Sequence, residues 1–260
     1  MHKLGRTRSS QQPNHLLLTP DTFVRTTLPG MKGCAAIVHA GSALGARFTE
    51  YTAEFEPGGE LGGHIRGEFR GGFRETTVQR FVFVMEGAVK LDVNNQQSQL
   101  ETRGYAYVPA GLVHRIMASE KSRLAVIEKA YETLSAIPPP HLIVSHEDKV
   151  ASHPLGDDPG LQVKCLLPDE MSFDFAVNTM VYQPGAALSM VEMHVMEHGL
   201  IMLEGGGIYR LGDSWYPVTA GDFIWMAPWC PQWFGAIGKV PAKYLIYKDS
   251  NRHPLAGART

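Results

Sequence analysis

Gly185-Ala-Ala-Leu-Ser-Met-Val-Glu192-Met-His194-Val-Met-Glu-His198-Gly-Leu-Ile-Met-Leu-Glu-Gly205 carries more information than any other stretch of the chain. Glu192 and His194 lie two positions apart, so on an extended strand both side chains point to one face. His198 follows after a short turn and returns to that face on the neighbouring strand. Gly205 opens the next turn, within Leu203-Glu204-Gly205-Gly206-Gly207. A second stretch, Gly221-Asp-Phe-Ile-Trp-Met-Ala227-Pro-Trp-Cys-Pro-Gln232, ends on an amide among aromatic residues. Together they offer two imidazoles, a carboxylate and an amide oxygen on short strands joined by glycine turns.

Moving outward, the same pattern of short extended runs continues. Twenty-seven Gly and 17 Pro punctuate the chain. Arg80–Met85, Ala88–Val93, Gly104–Pro109, Phe175–Gln183, Leu200–Leu203 and Phe223–Met226 read as strands. No segment keeps a 3.6-residue apolar period over a dozen residues. The chain also resembles itself: Val84-Met85-Glu86-Gly87 matches Met202-Leu203-Glu204-Gly205 at an offset of 118, and the segment from Arg103 to Pro109 matches that from Ala220 to Met226 at 117. A duplicated all-β barrel or jelly roll follows, since closed or stacked sheets leave few exposed edges. Turn-rich runs at 133–160 mark the join. The predicted organisation is a tail over 1–20, a first domain over 21–135, a linker over 136–160 and a second domain over 161–260.

Composition narrows the function classes. In 260 residues, 24 basic and 26 acidic side chains give a net charge of −2, with no basic field for nucleic acid. No run reaches the roughly 18 apolar residues of a membrane span. Three cysteines, in no CxxC pair, exclude a disulfide scaffold and favour a reducing, cytoplasmic setting. The Arg- and Ser-rich, acid-poor start has the composition of a transit peptide, but a plain tail is the expectation.

The two quoted stretches resemble the paired motifs of the cupin family, with Glu192 at the usual first His, His194 at the second, His198 at the usual Glu and Gln232 at the last His. The resemblance implies a bicupin, two tandem cupin domains, and a metal held by Glu192, His194, His198 and Gln232. Three strong ligands and a neutral oxygen suit Mn²⁺ or Fe²⁺ better than structural Zn²⁺. The first half serves as a control. The offset of 118 sets Arg74, Thr76 and Arg80 opposite Glu192, His194 and His198, and His114 opposite Gln232. Those residues cannot hold a cation, and His64 and Glu68 read as loop or surface groups. One metal per chain, in the second half, is the expectation.

Tyr244, Ile246 and Lys248 share one face of the run Ala242–Asp249. Lys248 either ends the strand in solvent or is buried with a task. A metal site of net charge about +1 with open positions favours a small anionic chelating substrate.

The carboxy-terminal half further resembles the bicupin (S)-ureidoglycine aminohydrolases of purine degradation. The resemblance rests on Glu192-x-His194-x3-His198-Gly199, the run Gly207–Val218, Gln232-Trp233 and Tyr244-Leu245-Ile246-Tyr247-Lys248-Asp249. It implies an Mn²⁺ hydrolase that releases ammonia from (S)-ureidoglycine, giving (S)-ureidoglycolate in allantoin degradation. By the same resemblance Tyr244 and Lys248 meet the substrate; expulsion of ammonia needs a proton donor and water addition a base, for which Glu192, Lys248 and Tyr244 are the nearby candidates. Gln232 and Tyr209 line the pocket, and the chain forms a homo-oligomer. Oxalate decarboxylase- or dioxygenase-like bicupins are the enzyme alternative, disfavoured by the empty first half and by Gln232 in place of a His. A non-catalytic storage or binding bicupin is disfavoured by the complete ligand set. Among neighbours, Cys230 reads as a small buried residue, the tryptophans as core or pocket wall, and Glu197 as pointing outward.

Overall fold

A computed structural model describes residues 6–62 and 77–253. The chain divides into two compact units, Val24–Lys149 and a second built from Met1–Phe23 together with Val150–Thr260. Both are all-β, and the described helical segments are single 3₁₀ turns such as Pro20–Thr22 and Ser42–Leu44. Among the described residues no helix is long and apolar enough to cross a membrane.

Strands β1 (Ser10–Gln12) and β2 (His15–Leu18) open the chain. The 24–149 unit then runs through β3 (Arg25–Thr26), β4 (Met31–Ala40), β5 (Thr49–Gly62), β6 (Val78–Glu86), β7 (Ala88–Val93), β8 (Gln96–Glu101), β9 (Gly104–Val108), β10 (His114–Ala118), β11 (Ser122–Ala130) and β12 (Ile143–His146). Its strands form one antiparallel sheet in the order β12-β9-β6-β11-β5-β10-β7-β8, with β4 on β5 and β3 on β4. Alternation puts Val82, Val84, Leu124, Val126, Tyr51 and Ile116 on the inner face, where they form its core.

The second unit continues with β13 (His153–Leu155), β14 (Asp158–Cys165), β15 (Phe175–Tyr182), β16 (His198–Glu204), β17 (Gly206–Leu211), β18 (Ser214–Thr219), β19 (Phe223–Met226), β20 (Gln232–Ala236) and β21 (Ala242–Asp249). An eight-stranded sheet, β1-β2-β19-β16-β21-β15-β14-β13, and a three-stranded sheet, β18-β17-β20, contribute to one core. Inward residues of the larger sheet (Leu200, Met202, Ile224, Tyr182, Tyr244, Ile246) meet Tyr209, Leu211 and Phe234 of the smaller. Glycine permits the sharp return between β16 and β17. Gly205 has φ +63, and a Cβ there would strike the Pro241 carbonyl.

The expected tail and linker are corrected. Residues from Ser10 are strand, with β2 antiparallel to β19 (Leu17 opposite Ile224) and Leu17 fully buried. The run Leu16-Leu17-Leu18 lies in β2, with Leu16 and Leu17 buried. Arg8 holds this segment through two bonds, 2.6 and 2.8 Å, to the buried Asp222 carboxylate. Within 136–160 the chain forms β12, β13 and the start of β14 rather than a linker, and the unit boundary falls at Lys149/Val150.

Candidate metal centre

The inner face of β16 starts at His198, and cross-strand pairing places Lys248 beside it and Met226 on its other flank. Gln232 begins β20 and is buried. Glu192 and His194 do not lie on a regular strand, contrary to the expectation. Glu192 makes a single antiparallel bridge to Gln232, its amide and carbonyl exchanging two 2.8 Å hydrogen bonds with those of Gln232. In such a pair both side chains lie on the same face, so the Glu192 carboxylate starts beside the Gln232 amide. Past the bridge the chain leaves the ladder, and the Trp229 amide donates to the His194 carbonyl at 2.8 Å. Trp229 holds φ +66 to do so and stands half exposed at the rim.

Three of the four residues converge. His194 Nε2 lies 3.2 Å from His198 Nε2 and 2.8 Å from Gln232 Nε2. Glu192 is the one not drawn in, and no three His, Cys, Asp or Glu side chains gather tightly around one point among the described residues. The tautomers are informative. His198 Nδ1 faces the Tyr247 carbonyl at 3.2 Å, and a carbonyl only accepts, so that nitrogen carries the proton and Nε2 is a bare lone pair. Burial above all, with His194 and Lys248 close by, lowers the His198 pKa to about 3, which keeps the ring neutral. The Gln232 NH2 can only donate to His194 Nε2, so that nitrogen is a lone pair too, and two such nitrogens 3.2 Å apart repel unless a proton or a metal ion lies between them. His194 Nδ1 is buried without a hydrogen-bond partner. The two imidazole lone pairs therefore fit a divalent cation; Gln232 turns its NH2 to His194 and its oxygen to Tyr209, so its oxygen would join such a set only once the amide turns over.

Around this cluster stand the other expected residues. Lys248 shares the inward face of β21 with Tyr244 and Ile246. The Asn178 amide, oriented so that its nitrogen donates to the Val177 carbonyl, accepts from Lys248 Nζ at 3.2 Å. Tyr209 donates to Gln232 Oε1 at 3.3 Å. Tyr244 is buried and bonds the Tyr182 hydroxyl at 2.8 Å. Burial raises both the Tyr209 and Tyr244 pKa values well above the usual phenol range, and the Glu192 charge adds to each shift. His198, Gln232, Tyr209, Tyr244 and Lys248 thus stand on strands β16, β20, β17 and β21, with Glu192 and His194 on the segment bridged to Gln232.

Comparison with known proteins agrees with this frame. The cupin-domain family model matches residues 178–247, β15 through β21. A (S)-ureidoglycine aminohydrolase of Arabidopsis thaliana is 40% identical over 96% of this chain and 80% of its own. One from Escherichia coli is 29% identical over 92% and 89%. The chain belongs to the (S)-ureidoglycine aminohydrolase family. Its members are hydrolases acting on C–N bonds. The crystal structure of protein Ylba from E. coli superposes with TM-score 0.81 at 27% identity, covering 95% of this chain and 96% of that one.

This aminohydrolase-family chain also holds residues that sequence reasoning missed or misplaced. Glu197 does not point outward. It is buried, accepting from Trp225 Nε1 at 2.8 Å while its amide donates to Asp249 at 2.6 Å. A carboxylate directly before a ligand-type histidine that opens an apolar strand was the available signal. Asn178 and Tyr182, inward residues of β15, were missed because they lie outside any motif.

The 24–149 unit keeps the frame with other chemistry. Arg80 bonds Glu128 through Nε at 2.7 Å and His114 Nε2 through Nη1 at 2.6 Å, and Tyr51 donates to Glu128 at 2.9 Å. A guanidinium occupies the middle of that cluster. Arg74, Thr76, His64 and Glu68 lie outside the described residues.

Proposed function

We propose that this protein is a manganese-dependent (S)-ureidoglycine aminohydrolase. The observation that carries the reading is the convergence of His194, His198 and Gln232, with Glu192 bridged to Gln232, inside a chain 40% identical to an enzyme of that name. Glu192, His194, His198 and Gln232 would hold one Mn²⁺. When bound, the ion supplies Lewis acidity and a positive centre for an anionic chelating substrate.

The net reaction breaks the bond from the aminal carbon to nitrogen and forms one to a water oxygen. Ammonia leaves with a proton that water gives up, and the product is (S)-ureidoglycolate in allantoin degradation. Lys248, directed inward beside Asn178, places a second positive charge against the substrate carboxylate. Tyr244 offers a hydroxyl from the buried floor. Glu192, Lys248 and Tyr244 are the groups able to take that proton from water and deliver it to the leaving nitrogen. The unpaired cysteines favour a cytoplasmic setting. A homo-oligomer is proposed alongside, and light scattering on the purified chain reads its mass.

The deciding experiment is ammonia release from freshly generated (S)-ureidoglycine by metal-stripped protein, with and without Mn²⁺. Manganese-dependent release with chiral (S)-ureidoglycolate supports the assignment. Release no faster than the spontaneous rate, with metal bound, removes it. Lys248→Met should lower kcat/KM by about 100-fold or more while leaving metal content unchanged. Near-normal turnover in that variant would remove Lys248 from the reaction.

A further inference from the structure

Beneath the metal-type cluster lies a phenol pair that no sequence motif marks. Tyr182 is fully buried on β15, its ring edge-on to Phe234 at 4.8 Å and tilted on Tyr244 at 5.6 Å. Among the described residues its hydroxyl has one hydrogen-bond partner, the Tyr244 hydroxyl at 2.8 Å. Strand register orders the two. Along β21 the inward residues run from Lys248 at the cluster through Ile246 and Tyr244 to Ala242. Tyr182 pairs with Ala242, whereas Tyr244 pairs with Met180. Tyr182 therefore stands one inward position farther from the cluster than Tyr244, among Leu161, Val163 and Leu188 of the core.

Proton counting separates the two directions by which phenol is left a free proton. Phenols are un-ionised at neutral pH, so Tyr182, Tyr209 and Tyr244 each carry one proton to place. Tyr209 gives its proton to Gln232. Only one of the other two protons lies between Tyr182 and Tyr244. One phenol proton is left over whichever donates; if Tyr244 donated, it would be that of Tyr182, among apolar core side chains where no ligand at the cluster reaches it. If Tyr182 donates, the leftover proton belongs to Tyr244, one inward position nearer the cluster, where a bound ligand can accept it.

We propose that Tyr182 is a positioning residue that presents Tyr244 as a hydrogen-bond donor, so that the ligand atom Tyr244 meets is an acceptor oxygen, a carboxylate or ureido carbonyl. The inference rests on the aminohydrolase reading for its substrate class and on the phenol pair for its direction.

The test is a double-mutant cycle on Mn²⁺-loaded protein with Tyr182→Phe, Tyr244→Phe and the double variant. Two readouts are used: calorimetric binding of hydantoate, which keeps the carboxylate and ureido groups but lacks the amine, and steady-state ammonia release. Tyr182→Phe should weaken hydantoate binding and raise KM by about tenfold, with Mn²⁺ affinity and melting temperature near those of the wild type. In the Tyr244→Phe background the same change should cost no further affinity. Independent, additive losses, or wild-type affinity in Tyr182→Phe, overturn the proposal. A wild-type protein that binds hydantoate but releases no ammonia sinks the aminohydrolase reading while the binding cycle still tests the phenol pair. A wild-type protein that does neither overturns both.

Discussion

Glu50 illustrates how far a single buried group can shape the whole stability curve. It lies on β5, fully buried, with neither carboxylate oxygen hydrogen-bonded. Burial raises its pKa from 4.5 to about 8. The folded state therefore holds the proton more tightly than the unfolded chain. Its contribution is fully favourable below about pH 4.5 and is lost as pH rises toward about 8. At pH 7 the loss is on the order of 3 kcal/mol. Glu50→Gln should be near neutral in acid and increasingly stabilising from pH 5 to 8, read from urea midpoints across that range. A parallel pH dependence in variant and parent would show that Glu50 is ionised and solvated. The residues of the candidate centre were legible at this scale because their spacing is chemical. Asn178 and Tyr182 were not, since an inward Asn or Tyr on an apolar strand looks like packing until its partner strand is placed beside it.

At the scale of elements, the short runs between turns were readable. Ala88–Val93 and Phe223–Met226 coincide with β7 and β19: the first alternates apolar and polar residues after Gly87, and the second is a short apolar run bounded by Gly221 and Pro228. The amino-terminal strands were not readable, since β1 and β2 are three and four residues long and draw their stability from β19, over 200 positions away. Local pattern carries no trace of such a partner. The Arg8–Asp222 clasp fixes that pairing, with the arginine partly exposed and the aspartate fully buried. Arg8→Ala should cost about 1–2 kcal/mol, less than for a fully buried pair because solvent screens the guanidinium. Chemical denaturation reads the loss directly, and no change in midpoint would show the clasp to be ornamental. Glu192 and His194 were misread as strand for a related reason. One bridge to Gln232 is all the pairing that segment has.

On the scale of the whole molecule, the duplication has been put to two uses. In one unit His198 pairs across the sheet with Lys248, and at the equivalent inner-face position of the other Arg80 pairs with Glu128. The imidazole and ammonium of one unit are matched by a guanidinium and carboxylate in the other. Arg80 donates to both His114 and Glu128, so the second set is internally neutralised without an ion. Metal analysis should accordingly find one Mn²⁺ per chain. Arg80→Met should lower stability by about 3 kcal/mol, by stranding Glu128, without changing that count. Two ions per chain would contradict the reading.

The sharing of Met1–Phe23 with Val150–Thr260 has a consequence in time. On the ribosome, β2 emerges first yet must wait for β19, while the intervening 24–149 unit has all of its own strands and is free to fold. At about 5–20 residues per second that wait lasts on the order of ten seconds or more. The site-bearing barrel is thus the last part of the molecule to mature. A fragment starting at residue 150 would expose the β19 edge that β2 covers, inviting strand exchange between copies.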